Sequence, residues 1–266
     1  MKKSKRLQLY CYTHKIPDYG LVDDEIHTPV HVGKALTDKY ICEVGDDTGD
    51  NISELNWSMR ELTGMYWVWK NVKDVSFVGS EHYRRRFGLS YEDILNKLKT
   101  YDLITFNRNH LNPEWTVMVN YFLCHSPIDL ITVEFLVKKF YPNYASDWDK
   151  YIGQGHELFN ANCFICKKSL YDAACSFVFD ILFKFIDTFA IDNKEQLDKH
   201  VETFSQQVCP PDKINEGWDW IRYQEGICGF LAERLFTLFI MHNIKQEKIL
   251  ETKIIEMEDN NKLWQI

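Results

Sequence analysis

The sequence predicts an α/β protein, and three observations carry that expectation. Leu55, Met59, Leu62, Tyr66 and Trp69 recur at helical spacing and predict a helix with one wide buried face. Val75 to Gly79 directly follows and reads as a short strand covered on both sides. The chain has 266 residues, 45% of them hydrophobic, enough for one large core, so a single domain over 1–266 is expected.

The elements follow in order. Leu7 to Thr13 reads as the first strand, with His14 and Lys15 at its carboxyl end, where α/β sheets bind ligands, although a solvated loop explains them equally well. Asp23-Asp24-Glu25 is an acidic surface turn, Pro29 to Leu36 a short helix and Tyr40 to Val44 a second strand. The polar loop Gly45 to Asn51 leads into the long helix, with Asn51 or Ser53 as N-cap. Its first backbone N–H groups either receive an anion or are simply capped. Tyr91 to Lys99 is a helix, Asp102 to Phe106 a strand ending in the polar cluster Asn107-Arg-Asn-His110, and Ser126-Pro127 opens a helix to about Phe140. Leu158 to Cys166 has strand composition, with Asn160 and Asn162 either presenting amides to sugar hydroxyls or holding a turn. Ser169 caps an apolar helix to about Phe189, Lys194 to Gln207 is helical, and Cys209-Pro-Pro211 ends it. Gly226 to Phe230 breaks the chain before the buried helix Leu231 to Ile240, whose Glu233-Arg234 pair is structural or site-directed, and the tail Lys245 to Ile266 admits a strand, a helix or a loose end.

Composition removes several classes. A net charge of −8 and a pI near 5.6 argue against wrapping nucleic acid, so any anion site must be local. The opening Met-Lys-Lys-Ser-Lys-Arg leads into a run too short and polar for a signal peptide, and no stretch reaches the roughly 18 apolar residues of a membrane span. A cytoplasmic protein with thiol cysteines is expected, and Cys163-Phe-Ile-Cys166 reads as core packing because no second pair stands at zinc spacing. No Gly-x-Gly-x-x-Gly, Walker loop or Gly-x-Ser-x-Gly elbow is present, which leaves dinucleotide oxidoreductases, P-loop ATPases and that hydrolase class unsupported.

What remains is Ser80-Glu-His-Tyr-Arg-Arg-Arg86, a basic run at a strand end. Arginine's planar fork pairs with phosphate oxygens, and a departing nucleoside diphosphate gathers negative charge, so His82, Arg84, Arg85 and Arg86 form a candidate electrostatic catalyst. The bland alternative is neutralisation of Glu81 or Glu92. If the run is extended, His82, Arg84 and Arg86 face one way and Arg85 the other.

Five blocks add a resemblance. Asp50-Asn-Ile-Ser53, Glu61-Leu-Thr-Gly-Met-Tyr-Trp-Val-Trp-Lys-Asn71, His82-Tyr-Arg-Arg85 with Phe87, Asn162 to Lys168 and Gly229 to Leu235 resemble, in order and over nearly the whole chain, a bacterial capsular-polysaccharide-biosynthesis family catalogued as a domain of unknown function. Phe159-Asn-Ala-Asn162 is similar, more weakly, to the acceptor-side segment of family 8 glycosyltransferases. The resemblance implies a glycosyltransferase with a GT-A-like, single Rossmann-like domain, a mixed central sheet flanked by helices and a helical C-terminal part. It divides the chain into a nucleotide-binding half, 1–110, an acceptor-side half, 111–245, and a tail, 246–266. It further implies a nucleotide-sugar donor, a glycan or lipid-linked oligosaccharide acceptor, and peripheral contact with the inner membrane as an option for Lys2 to Arg6.

On that likeness His82, Arg84 and Glu81 are the catalytic candidates. Thr13, His14, Lys15, Asp50, Asn51, Glu61, Tyr66, Lys70 and Arg85 would surround the nucleotide-sugar, and Asn160, Asn162, Glu225 and Glu233 the acceptor. Glu61, Tyr66, Lys70, Glu225 and Glu233 serve hydrogen bonding or base catalysis, with no means of choosing among them. Most GT-A enzymes hold a divalent ion with Asp-x-Asp, and here that place reads Ser80-Glu81-His82. Either Glu81 and His82 ligate Mn²⁺ or Mg²⁺, or, the favoured reading, the basic groups replace the metal's charge. A catalytically silent glycan-binding or assembly protein on the same fold is the alternative function.

Overall fold

A computed structural model describes residues 6–205 and 220–257. The strands are β1 Leu7–Thr13, β2 His27–His31, β3 Val44–Gly45, β4 Phe77–His82, β5 Arg85–Phe87, β6 Leu103–Phe106, β7 Asn109–His110, β8 Glu157–Leu158, β9 Phe164–Lys167, β10 Ile249–Thr252 and β11 Ile254–Glu256. The α-helices are α1 Asn56–Met59, α2 Leu62–Asn71, α3 Tyr91–Lys97, α4 Val117–Cys124, α5 Pro127–Phe140, α6 Ala145–Asp147, α7 Lys168–Phe189, α8 Lys194–Phe204, α9 Trp220–Gln224 and α10 Ile227–Asn243.

The central sheet is mixed and runs β10-β6-β9-β4-β1-β2-β3, with β5 and β11 attached beside β4. β3, β2, β1 and β4 are mutually parallel, β9 is antiparallel to both β4 and β6, and β10 is parallel to β6. The carboxyl ends of β1, β2, β3, β4, β6 and β10 therefore share one edge, and the turn before β9 enters from the same side. Helices cover both faces. Alternate residues of β1 divide between them: Tyr10 and Tyr12 join the larger core with α2, α5, α7 and α10, while Leu7 and Leu9 join a smaller one with Ile94, Leu95 and Leu98 around α3. β9 comes from late in the chain yet lies between β4 and β6, so the two sequence halves interleave in one sheet.

Several elements differ from the sequence reading. Pro29 to Leu36 is not a helix: Thr28, Val30 and Val32 alternate into the core as β2 pairs with β1, and only Lys34–Leu36 forms a 3-10 turn. Tyr40 to Val44 shrinks to β3, with Tyr40 75% exposed. The long helix is a 3-10 turn, Ser53–Leu55, then α1 and α2, interrupted where Arg60 takes φ 52°. Ser53 does not cap it. Its amide donates to Asn51 Oδ1 at 3.2 Å, while its hydroxyl donates to Asp46 and accepts from the Ala35 amide.

Most of the expected basic loop is strand, β4 continuing through His82 and β5 resuming at Arg85. Leu158 to Cys166 splits into β8 and β9, because Ala161 and Asn162 adopt φ 69° and 52° and turn the chain. α4 had no clear sequence signal, α7 starts at Lys168 rather than being capped by Ser169, and α10 already includes Gly229 and Phe230. Cys209-Pro-Pro211, Lys2 to Lys5 and the tail beyond 257 lie outside the described residues. Among the described residues, no helix is long and apolar enough to cross a membrane. Cys163 and Cys166 are buried free thiols.

Candidate active site

The shared edge of strand ends gathers the functional side chains. β1 delivers Thr13, which is buried and whose hydroxyl donates to the Lys15 carbonyl and accepts from the Lys15 amide at 3.2 Å. That turn holds His14 and Lys15 against Tyr83, the His14 ring edge-on at 5.4 Å and the Lys15 ammonium 5.6 Å from the ring centre. β4 delivers His82 as the register partner of Tyr12, and a tight turn at Tyr83 and Arg84 brings Arg85 back opposite His82. The Arg84 guanidinium lies 5.4 Å from the Tyr83 ring, which is thus a platform for three basic side chains.

The charges act on one another. Burial first, then Lys15, Arg84 and Arg60, drives the His14 imidazole down to about 4, and burial with Arg84 and Arg85 holds His82 well below its usual range. Both rings are therefore neutral near pH 7. The positive charge of the arc belongs to Lys15, Arg60, Arg84 and Arg85. His82 Nδ1 accepts the Arg84 amide at 3.3 Å, so in the neutral ring Nε2 carries the hydrogen and is a donor.

A buried polar cluster lies beside this arc. Asn162, 4% exposed, donates from Nδ2 to Glu61 Oε1 at 3.0 Å and to the Gly229 carbonyl at 3.5 Å, and its buried Oδ1 has no hydrogen-bond partner among the described residues. Burial raises the Glu61 carboxyl above the ordinary carboxylate range, opposed by the Asn162 hydrogen bond and by Arg85. The Ala161 amide donates to Glu233 Oε1 at 2.8 Å, and Glu233 Oε2 pairs with Arg234 at 3.0 Å. Asn160 sits half-buried at the mouth of this turn. Glu225, at the end of the short α9, pairs with Lys194 at 3.1 Å and stands 3.9 Å from Arg60.

Other candidates are set apart. Glu81 precedes His82 on β4 and so faces the opposite side of the sheet. It is fully buried there, accepting the Phe87 amide at 2.7 Å, with His27 at 3.9 Å. Arg86 shares that face and approaches Cys11 Sγ at 3.8 Å. The turn at Arg84 resets the alternation, so Arg84 and Arg85 accompany His82 while Arg86 does not. Asp50 accepts the Tyr66 hydroxyl at 3.0 Å and is bound through its backbone to Asn71, and Lys70 lies 3.7 Å from the Trp69 ring centre. At 1.5 Å per residue, Tyr66 and Lys70 are about 7 and 13 Å along α2 from Glu61, toward the far end of the sheet. Asn51 is nearer the strand ends and helps line an open cleft of about 370 Å³ with Ala35, Asp47 and Glu54.

A divalent ion is not served by Ser80-Glu81-His82, because Glu81 and His82 project from opposite faces of β4 and cannot chelate one ion. Among the described residues, no group of three or more His, Cys, Asp or Glu side chains converges to hold a metal.

Sequence reasoning missed Arg60 and His31. Arg60 interrupts the helix at φ 52°, ψ −130°, donates to the Arg222 carbonyl at 3.1 Å and contributes charge to His14. A residue in an apolar helical pattern carried no signal of this. His31, at the end of β2, is 1% exposed, its Nδ1 has no hydrogen-bond partner among the described residues, and it lay hidden in the segment read as a helix.

The profile of a family described as a domain of unknown function, DUF4422, matches residues 8–207. The solved apo structure of WbbM, a bifunctional glycosyltransferase, superposes with a TM-score of 0.73 at 22% identity, covering 94% of this chain and 45% of that one. The chain thus spans about half the length of that structure, and the likeness establishes the α/β fold. None of the curated proteins matches.

Proposed function

The chain belongs to the DUF4422 family, and on that premise we propose that it is a glycosyltransferase moving a sugar from a nucleotide-sugar, a UDP-sugar, to a hydroxyl of a growing bacterial surface glycan of the capsule or O-antigen kind. One observation supports the reading: Lys15, Arg60, Arg84 and Arg85 form a cationic arc at the carboxyl ends of parallel strands, next to the hydrogen-bonded pair Glu61 and Asn162. The fold shared with part of a bifunctional glycosyltransferase supports it.

In this proposal the donor's diphosphate lies against Arg84 and Arg85, with His82 Nε2–H, His14 and Lys15 beside it. Negative charge grows on the leaving nucleoside diphosphate as the bond to the sugar breaks. Fixed guanidinium groups stabilise that charge without reorganising, which lowers the barrier. The base and ribose extend toward the cleft bordered by Asn51, while Asn160, Asn162 and Glu233 adjoin the sugar and acceptor.

The test is calorimetry with UDP on Arg84→Ala. Loss of a charge-assisted hydrogen bond worth about 1.5–3 kcal/mol should weaken binding by about 10- to 100-fold and reduce turnover of a UDP-sugar. A folded variant that binds and turns over like the wild type removes the diphosphate assignment. Binding of free glycan but of no nucleotide by the wild type would instead indicate a non-catalytic glycan-binding protein.

A further inference from the structure

We propose that Glu61 is the general base that takes the acceptor hydroxyl's proton, held in place by Asn162, and that transfer therefore inverts the anomeric configuration of the sugar. The inference rests on the transferase reading above and adds the group and stereochemistry which that reading leaves unspecified.

Two features point to this pair. Glu61 stands at the start of α2, where the helix meets the strand ends, and its Oε1 receives the Asn162 amide at 3.0 Å. Among the described residues it forms no ion pair, whereas the other nearby carboxylates are committed: Glu233 to Arg234 and the Ala161 amide, Glu225 to Lys194. Asn162 supplies the second feature. Its Oδ1 is buried without a donor among the described residues, and the chain adopts left-handed φ at Ala161 and Asn162 in succession to put it there. An unmet buried acceptor is costly, and two consecutive non-glycine residues at positive φ add strain, costs that persist where a ligand uses the geometry. A sugar hydroxyl donating to Asn162 Oδ1 would satisfy it and fix the ring beside Glu61.

The step balances without a co-reactant. The acceptor oxygen forms a bond to C1, its proton passes to the Glu61 carboxylate, and the bond from C1 to the phosphate oxygen breaks. The electron pair departs with the nucleoside diphosphate, facing Arg84 and Arg85. Attack from the Glu61 side opposite the leaving group gives inversion. Burial lifts the Glu61 carboxyl above the ordinary range, which strengthens its carboxylate as a base.

Glu61→Gln keeps the shape and still accepts the Asn162 hydrogen bond. Its kcat should fall by about 100-fold or more, with UDP affinity and thermal midpoint unchanged. The acid-side fall of the wild-type pH profile should vanish in this variant, and Glu61→Asp should recover part of the rate. Proton NMR of the product should show the anomeric configuration opposite to the donor's. If the wild type turns over a UDP-sugar while Glu61→Gln matches its rate, or if configuration is retained, the base assignment is overturned and the transferase reading stands. A wild type that neither binds UDP nor turns over a UDP-sugar overturns both.

Discussion

The histidines of the arc illustrate how residue type alone misleads about charge. His14 and His82 sit among cations and out of water, and both effects favour the neutral ring. The stability consequence has a definite sign. His14 titrates near 6.5 in the unfolded chain and near 4 in the folded one, so between those values the unfolded chain binds the extra proton. His14 therefore lowers stability as pH falls from about 6.5 toward 4. Urea unfolding at pH 7 and pH 5 should show His14→Gln losing less stability over that interval than the wild type. An equal loss would mean that the ring is not desolvated as described. The basic run itself was legible, since three arginines after a strand are visible in any reading, but which of them point together was not. A single turn at Tyr83 and Arg84 decided that, and it separated Arg86 from the other two.

Among the elements, α2 matters most because it carries Glu61 to the strand ends, and Gly64 allows its close approach. A Cβ at Gly64 would lie 2.5 Å from the Tyr12 ring and 2.8 Å from Val32. Tyr12 cannot move away freely, since its hydroxyl is bonded to Ser80 and Tyr171, each at 3.2 Å. Gly64→Ala should gain about 1 kcal/mol in helix propensity but lose about 1–3 kcal/mol to overpacking, a net fall in the thermal midpoint. A midpoint at or above the wild type's would show that the helix has room to shift. The spacing of Leu55, Met59, Leu62, Tyr66 and Trp69 announced a helix here, whereas its interruption at Arg60 was invisible. Local spacing reports which face is buried, and it carries no information on a backbone conformation imposed by Asn56, whose amide donates to the Arg60 carbonyl at 2.7 Å.

For the whole molecule, a cationic arc set within a net charge of −8 makes recognition local. Attraction of a dianionic ligand to partly exposed guanidinium groups is screened by salt, with a Debye length that falls to about 8 Å at physiological ionic strength. UDP affinity should weaken steadily as salt is raised from about 50 to 200 mM, while duplex DNA should not bind at physiological salt. Salt-independent UDP binding, or tight DNA binding, would contradict that charge distribution. The sequence by itself determined the α/β class, the order of the principal helices and strands, and the presence of a basic cluster at a strand end, because hydrophobic spacing and residue chemistry are local properties. Only the tertiary structure decided that β2 is a strand, that β9 inserts between β4 and β6, and that Asn162 meets Glu61 across 101 positions of chain. Those outcomes depend on pairing and packing between distant segments, which satisfy backbone hydrogen bonds and bury apolar faces in ways that no single stretch encodes.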